Sequence, residues 1–217
     1  MSETLPVTDR TRLRRKPARG SHELGVIHAI LDEALVCHVA IASPENLSSD
    51  SISGGPRVLP TAFVRVDDAL YLHGSAANGM FRAIAAGAEV AIAVTLLDGL
   101  VLARTAFHHS VNYRSVVIFG RGAQVHDLAV QRRALAALVD RMVPGRAEAC
   151  RPPSDRELAA TIVVAIPIDE ASAKIRSGPP VPDDGEDAAL PYWAGVIPLA
   201  TVREAPIAAP DCAVAGP

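Results

Sequence analysis

Residues 56–75 read PRVLPTAFVRVDDALYLHGS. Two runs of aliphatic, β-branched and aromatic residues, RVLPTAFVRV and ALYLHGS, flank the acidic pair Asp67-Asp68, and that pattern predicts two antiparallel strands joined by a tight turn. Pro60 has no backbone N–H, so its strand is expected at a sheet edge or where pairing is interrupted. After His73, Gly74 and Ser75 the chain leaves the second strand for a short helix, NGMFRAIAAG, closed by Gly87.

The same reading extends outward. Upstream, VCHVAIAS predicts a strand separated from the first run by the turn-forming stretch SSDSISGGP, and ELGVIHAILDEA carries Leu24, Ile27, Leu31 and Ala34 at helical spacing behind Ser21, a partial cap. Downstream, EVAIAVTLL and SVVIFGRGAQV predict strands and TIVVAIPI a last one. LAVQRRALAALVDRMVPGR predicts an amphipathic helix with Leu128, Leu135, Leu138 and Val139 on one face, stopped by Pro144-Gly145. Residues 1–20 form a polar, Arg-rich arm and 204–217 a Pro- and Ala-rich tail, both expected to be loose, around one domain at 21–203. Six or so short strands broken by a few helices predict a mainly β, α+β architecture, a small barrel with helices outside, rather than a βαβ array.

Composition narrows the function. A net charge of −3 over 217 residues gives no basic surplus, so nucleic acid is not an expected partner. Cys37, Cys150 and Cys212 lie far apart with no CxxC pair, against a zinc site or a disulfide framework and in favour of the cytoplasm. No apolar h-region follows the charged start and no run nears the ~20 residues of a membrane span, so neither secretion nor a membrane is expected. GxGxxG after a strand, GxxxxGK[ST], HExxH and GxSxG are all absent, which removes the dinucleotide, P-loop, zincin and hydrolase readings.

One stretch fits none of these. Residues 107–120, FHHSVNYRSVVIFG, place histidines, Asn112, Tyr113, Arg114 and Ser115 at the threshold of an apolar strand, where Tyr and Arg are costly to order. Adjacent His108 and His109 would point to different faces of a strand or helix, which suits hydrogen-bonded loop roles better than a metal pair.

The succession RTRLRRKPARG, ILDEALVCHVAI, PRVLPTAF, ALYLHGSAANGM, LLDGLVLARTAFHHSVNYRSVVIFGRG, SAKIRSGPP and WAGVIPL resembles the flavin-nucleotide-binding, nitroimidazole-reductase-like branch of the pyridoxamine 5'-phosphate oxidase-like split-barrel superfamily, over about residues 10–200. The resemblance implies a six-stranded split β-barrel, a homodimer, and one FMN at each of two clefts between the subunits. Pro60, Thr61 and Ala62 would then face the isoalloxazine; an ordinary edge strand is the alternative. Gly74, Ser75, Asn78 and Met80 lie in the loop that would hold the phosphate, where free N–H groups at a helix start suit an anion; a plain capped helix is the alternative. The family's usual Arg in this loop is Gly79 here, so Arg82 or Arg114 would have to supply the cation. His73 would lie close to the flavin, tentatively as a catalytic donor to substrate, or would simply bond a loop carbonyl. Asn112, Arg114 and Ser115 would line the cleft, and Trp193 would reach the flavin or plug the core.

Two functions follow from the resemblance. The first is an FMN-dependent oxidoreductase acting on a small molecule, with NAD(P)H as a reductant, which needs no protein nucleophile. The second is a non-catalytic flavin-binding carrier, sensor or regulator. Pyridoxamine phosphate oxidation itself is disfavoured, because WAGVIPLATVREA lacks the basic residues expected around that substrate's phosphate.

Overall fold

The structure is a computed structural model that describes residues 3–42, 56–214 and 216; most of the predicted SSDSISGGP turn lies outside the described residues. After a 3-10 turn at Pro17–Arg19 the chain runs β1 (Gly20–Ser21), α1 (Leu24–Glu33), β2 (Val36–Ala42), β3 (Pro56–Val66), β4 (Ala69–Ser75), α2 (Gly79–Ala85), β5 (Glu89–Leu102), β6 (Ser110–Arg121), β7 (Ala123–Gln124), α3 (Leu128–Met142), α4 (Asp155–Ala159), β8 (Thr161–Pro167), β9 (Glu170–Arg176) and β10 (Gly195–Pro198). The chain divides into two compact units, Met1–Leu96 with Arg114–Arg176, and Leu97–Tyr113 with Ser177–Pro217.

The strands form one sheet in the order β1-β9-β6-β5-β2-β3-β4-β8-β7, with β10 added to β5. Helices are few, so the class is α+β with antiparallel sheet dominant, as expected. Seven strands among the described residues (β2, β3, β4, β5, β6, β8 and β9) have seven residues or more, against the six anticipated. β9 is the unanticipated one: its inward residues are Ala171 and Ala173, fully buried yet too small to give a strong strand signal.

The hairpin at 56–75 forms as read. Val66 pairs with Ala69 across Asp67-Asp68, and Asp67 takes a left-handed φ of 53°, which Asp tolerates in tight turns. β3 pairs with β2 from Pro56 to Ala62 and with β4 from Phe63 to Val66. Pro60 thus lies where β3 pairs with β2 alone, which is where a residue without an N–H can sit.

Strand alternation builds the core of the larger unit. Cys37, Val39 and Ile41 of β2, Phe63 of β3, Leu70 and Leu72 of β4, Val90 and Ile92 of β5 and Val164 and Ile166 of β8 turn inward, with Ile27, Ile30 and Leu31 of α1 and Phe81 and Ile84 of α2 packed on them. On α3 the buried residues are Gln131, Ala134 and Leu138, while Leu128 is exposed. The face follows 131-134-138 rather than the predicted set, because Leu128 occupies the first turn, and Gln131 satisfies its amide by donating to the Val125 carbonyl at 2.6 Å.

The N-terminal arm is tied down rather than loose. Thr4 bridges Glu23, the Leu5 amide donates to the His22 carbonyl at 2.9 Å, and Arg10 pairs with Glu170 and Glu89 while lying 4.9 Å over the Phe119 ring. The described residues of the tail from 199 onward carry no regular structure and are exposed.

Candidate functional site

Along β2 and β3 the residues between the core positions form an outward face. Direct pairing sets Val36 against Ala62, His38 against Pro60 and Ala40 against Val58, and on the other side of β2 His38 against Ala93 and Ala40 against Ala91. Directly paired residues share a face, so an imidazole stands among proline, alanine and valine side chains. Much of this face is open: Val36, His38, Val58, Pro60 and Ala93 are exposed, Val58 at 63%. Small side chains on a strand surface leave a flat pad on which a planar ligand can lie. His38 has no hydrogen-bond partner among the described residues, and the sequence reading did not single it out. Its signal was the alternation in VCHVAIA, which sends His38 outward between buried Cys37 and Val39.

The face continues onto β4, where α3 covers it. Val64 pairs with Tyr71, and these two with Leu72, His73, Val163, Ala134, Leu135 and Leu138 line a shallow crevice of about 10 Å³. His73 is half-buried there with neither ring nitrogen bonded within the described residues, and burial holds its pKa below the usual histidine value. A neutral imidazole can present either a donor or an acceptor to a ligand. Cys37 lies on the opposite, inner face, and burial pushes its thiol up to about 12, so no thiolate reaches the pad.

The other predicted residues separate into several groups. Pro60 and Ala62 share the outward face with His38, whereas Thr61 points the other way, its hydroxyl donating to the Ala62 carbonyl at 3.4 Å. Gly74 makes room for a core ring, since a Cβ there would come within 2.5 Å of Phe81. Asn78 is the N-cap of α2, its Oδ1 accepting from the Met80 and Phe81 amides at 2.9 and 3.3 Å, and Ser75 Oγ accepts from the Ala77 amide at 3.2 Å. The backbone donors expected for a phosphate are therefore partly used within the loop. Met80 is buried in the core, so its side chain does not line the face.

Arg114 is also committed. Its Nη2 donates to Glu33 Oε1 at 2.8 Å and its Nη1 to Oε2, a two-pronged pair across α1 and β6. Arg82, exposed on α2 with no ion-pair partner among the described residues, remains available. Ser115 Oγ donates to the Lys174 carbonyl at 3.2 Å, linking β6 to β9.

Asn112 and Trp193 belong to the smaller unit. Asn112 is buried and its Nδ2 donates to the Gly178 carbonyl at 3.1 Å. Trp193 is exposed and lies against Gly195, where a Cβ would approach its ring to 2.6 Å; it is not a core plug. In this unit His108 Nδ1 lies 3.1 Å from Asp183 Oδ1, and Arg104 Nη1 donates to Oδ2 at 3.3 Å. His108, then Arg104, hold the Asp183 carboxyl below the usual carboxylate range. His109 Nδ1 lies 3.0 Å from the Thr105 carbonyl. Both histidines have the hydrogen-bonded loop roles anticipated for them. No group of three or more potential metal-ligating side chains converges, and no helix is long and apolar enough to cross a membrane, among the described residues.

An antiparallel sheet whose β3 passes from one partner strand to another, with an open pad of small side chains and unbonded imidazoles, defines a split-barrel protein with room for a planar ligand. Residues 24–175 match the family model described as pyridoxamine 5'-phosphate oxidase, and the chain belongs to that split-barrel superfamily. The flavocytochrome Anf3 from Azotobacter vinelandii is similar over 97% of this chain and 94% of its own, at 38% identity and a TM-score of 0.86. A FAD and haem binding protein from Mycobacterium smegmatis is similar over 92% of this chain and 93% of its own, at 39% identity and a TM-score of 0.81. A candidate 5-nitroimidazole antibiotic resistance protein from Bacteroides thetaiotaomicron, at 22% identity, a TM-score of 0.58 and 72% and 86% coverage of this chain and its own, shares the fold. No curated protein matches the sequence.

Proposed function

We propose that this chain is a flavin-binding redox protein that holds its flavin on the outward face of β2, β3 and β4 and carries haem as a second cofactor. The observation behind the first part is the pairing of His38 with Pro60 and Ala93: a flat, open surface with ring nitrogens at its centre and at His73. The second part, and the choice of FAD over the FMN expected from the sequence, rest on two relatives of 38% and 39% identity matched over nearly the whole chain, one a flavocytochrome and the other a FAD and haem binding protein. Asn78 and Ser75 are occupied, Arg114 is paired and Gly79 stands where the family's Arg would be, so a terminal monophosphate finds few donors.

In this reading a bound flavin would supply hydride and electron chemistry toward a small-molecule donor such as NAD(P)H, and a bound haem one-electron chemistry. Pro60 and Ala62 would support the ring, His73 would bond its polar edge as a neutral imidazole, and Arg82 would meet the phosphates. The protein would act as a homodimer, which would cover exposed apolar side chains such as Val36 and Val58. The reaction class is oxidoreductase; a carrier or sensor would bind the same cofactors without turnover.

The test is the absorption spectrum of purified full-length protein as isolated and after reconstitution with FAD, FMN and haemin, followed by addition of NAD(P)H. Flavin and Soret bands, FAD in the acid-released fraction and bleaching on reduction are expected. Protein that binds neither flavin overturns the proposal; FMN alone in the released fraction overturns the choice of FAD, and bound but unreducible flavin favours the carrier.

A further inference from the structure

The smaller unit buries almost nothing of its own. Among its described residues only Val101 and Ala103 are buried hydrophobic side chains, whereas Phe107 is 91% exposed, Trp193 65% and Tyr192 61%. Part of this apolar surface is continuous. Ile197 of β10 pairs with Leu100 of β5 and Gly195 with Leu102, so Leu100, Leu102 and Ile197 lie on one face. Trp193 extends it, because a Cβ on Gly195, which would project from that face, would meet the indole ring at 2.6 Å. Val101 turns to the opposite face and is fully buried. A continuous exposed apolar ridge that includes an indole ring marks a contact surface. The charge of the unit is equally one-sided. It holds seven carboxylates against two arginines, a net charge of −5 within a chain of −3. Asp184, Glu186 and Asp187, a few residues before Trp193, are exposed with no ion-pair partner among the described residues.

A surface of complementary charge lies on the same chain. Residues 10–19 of the N-terminal arm carry six cations and no acid. Arg10 is taken up by Glu170 and Glu89, but Arg12, Arg14, Arg15 and Lys16 are exposed with no ion-pair partner among the described residues. A run of like charges usually stays solvated and loose. This one is held at both ends, by the contacts of Thr8 and Arg10 with Glu170 and by the pairing of Gly20 with Lys174. Holding like charges together is unfavourable until an opposite charge meets them. Resting on the homodimer of the reading above, we propose that the smaller unit of one copy clasps a second copy of this chain. Asp184, Glu186 and Asp187 meet the basic arm of the other copy, and the ridge of Leu100, Ile197 and Trp193 is buried in the same contact. A two-fold axis lets each copy give its acidic loop and receive the other's, so both patches are satisfied together. A membrane suits the ridge less well, since an anionic surface repels a unit of charge −5. An acidic partner protein would engage the arm and leave the ridge bare.

The test uses the full-length protein as purified, its mass followed by light scattering through a dilution series and the ridge by the emission of Trp193, the only tryptophan. The wild type is expected to be a dimer whose emission maximum moves to longer wavelength as dilution separates the copies. Trp193→Ser is expected to raise the dissociation constant of the dimer at least about tenfold. Two charge-reversed chains, Arg14→Glu with Arg15→Glu and Asp184→Lys with Glu186→Lys, are each expected to be monomeric yet folded by circular dichroism, since all four side chains are exposed. Mixed in equal parts they are expected to regain the dimer, because one contact then joins the two reversed segments and the other the two native ones. Reversed chains that dimerise as the wild type does, or that stay apart when mixed, would overturn the clasp and leave the homodimer standing. An emission maximum that does not move on dissociation would overturn the ridge as the contact. Wild-type protein that is monomeric throughout would overturn the homodimer and the clasp with it.

Discussion

Arg114 grips both carboxylate oxygens of Glu33, with Nη2 to Oε1 at 2.8 Å. Strand β6 is thereby fastened to the end of α1 by a two-pronged ion pair open to solvent on both sides. A guanidinium held this way is not free to meet a phosphate, whereas Arg82 on α2 is. Arg82→Ala is therefore expected to weaken flavin binding by about 1.5–3 kcal/mol, the value of a charge-assisted hydrogen bond, or about tenfold to a hundredfold. Arg114→Ala is expected to leave flavin affinity within about threefold and to cost about 0.5–1 kcal/mol of stability, the usual range for a partly exposed pair. Fluorescence-quenching titrations and urea melts of the two variants check this; the reverse pattern would return the phosphate to Arg114.

The outward face sorts neighbouring residues by the parity of the strand. Ala62 lies on the His38 side of β3 and Thr61 on the other. Ala62→Phe places a ring where the flavin would stack, over open space rather than in the core, so flavin affinity should fall at least about tenfold while the melting temperature changes little. Thr61→Val is expected to leave affinity unchanged. Titrations with FAD, alongside thermal melts, measure both; equal losses in the two variants would mean that the ligand does not lie on this face.

The hairpin at 56–75, the inward alternation of β2 and the position of Pro60 were legible because each depends on local pattern and on the chemistry of one residue. β9 was not, since Ala171 and Ala173 are buried by tertiary packing without a hydrophobic signature. The site was legible in part. Pro60, Ala62 and His73 share the outward surface, but Asn78 and Ser75 bond within their own loop, and Ser115 and Arg114 bond to Lys174 and Glu33. Motif order shows that such residues gather in one region; it does not show which side chain spends its hydrogen bonds on the fold. Asp183 was missed for a related reason: nothing local in PPVPDDGED marks it, and only the chain's return to His108 and Arg104, some 75 residues earlier, gives it partners.

Two histidines titrate below their usual value because burial disfavours the charged ring. For His73 burial is the cause; for His28 burial leads and Arg65 adds to it. With the folded pKa below the unfolded one, the unfolded chain binds more protons once pH drops under about 6.5. Stability from these groups is thus complete above that value and lost as pH falls toward the folded pKa. The depressed Glu170 carboxyl, held low by Arg10 and then Thr8, acts only under the usual carboxylate range, so the two windows separate. Urea midpoints are expected to fall between pH 7.5 and 5.5, and His73→Gln to reduce that slope. A slope unchanged by His73→Gln would mean that its imidazole charges freely in the folded protein.

Gly79 opens α2 immediately after its cap, and a Cβ built there meets nothing within 4 Å. Substitution is therefore free of steric cost, unlike Gly74, where Phe81 fills the space. Two physical effects point the same way in Gly79→Arg. Replacing a helical glycine gains about 0.5–1 kcal/mol of helix propensity, and the new guanidinium stands beside the loop that Ser75 and Asn78 have left short of donors. The Asn78 cap is untouched, because its Oδ1 accepts from Met80 and Phe81 and not from residue 79. Gly79→Arg is expected to raise the melting temperature by a few degrees in the flavin-free protein and to tighten FMN binding more than riboflavin binding, since only FMN carries the phosphate. Parallel titrations with the two ligands separate the effects. A variant that melts higher but binds FMN and riboflavin with unchanged affinities would place the phosphate away from α2, and an Arg82→Ala protein with wild-type affinity would confirm that displacement.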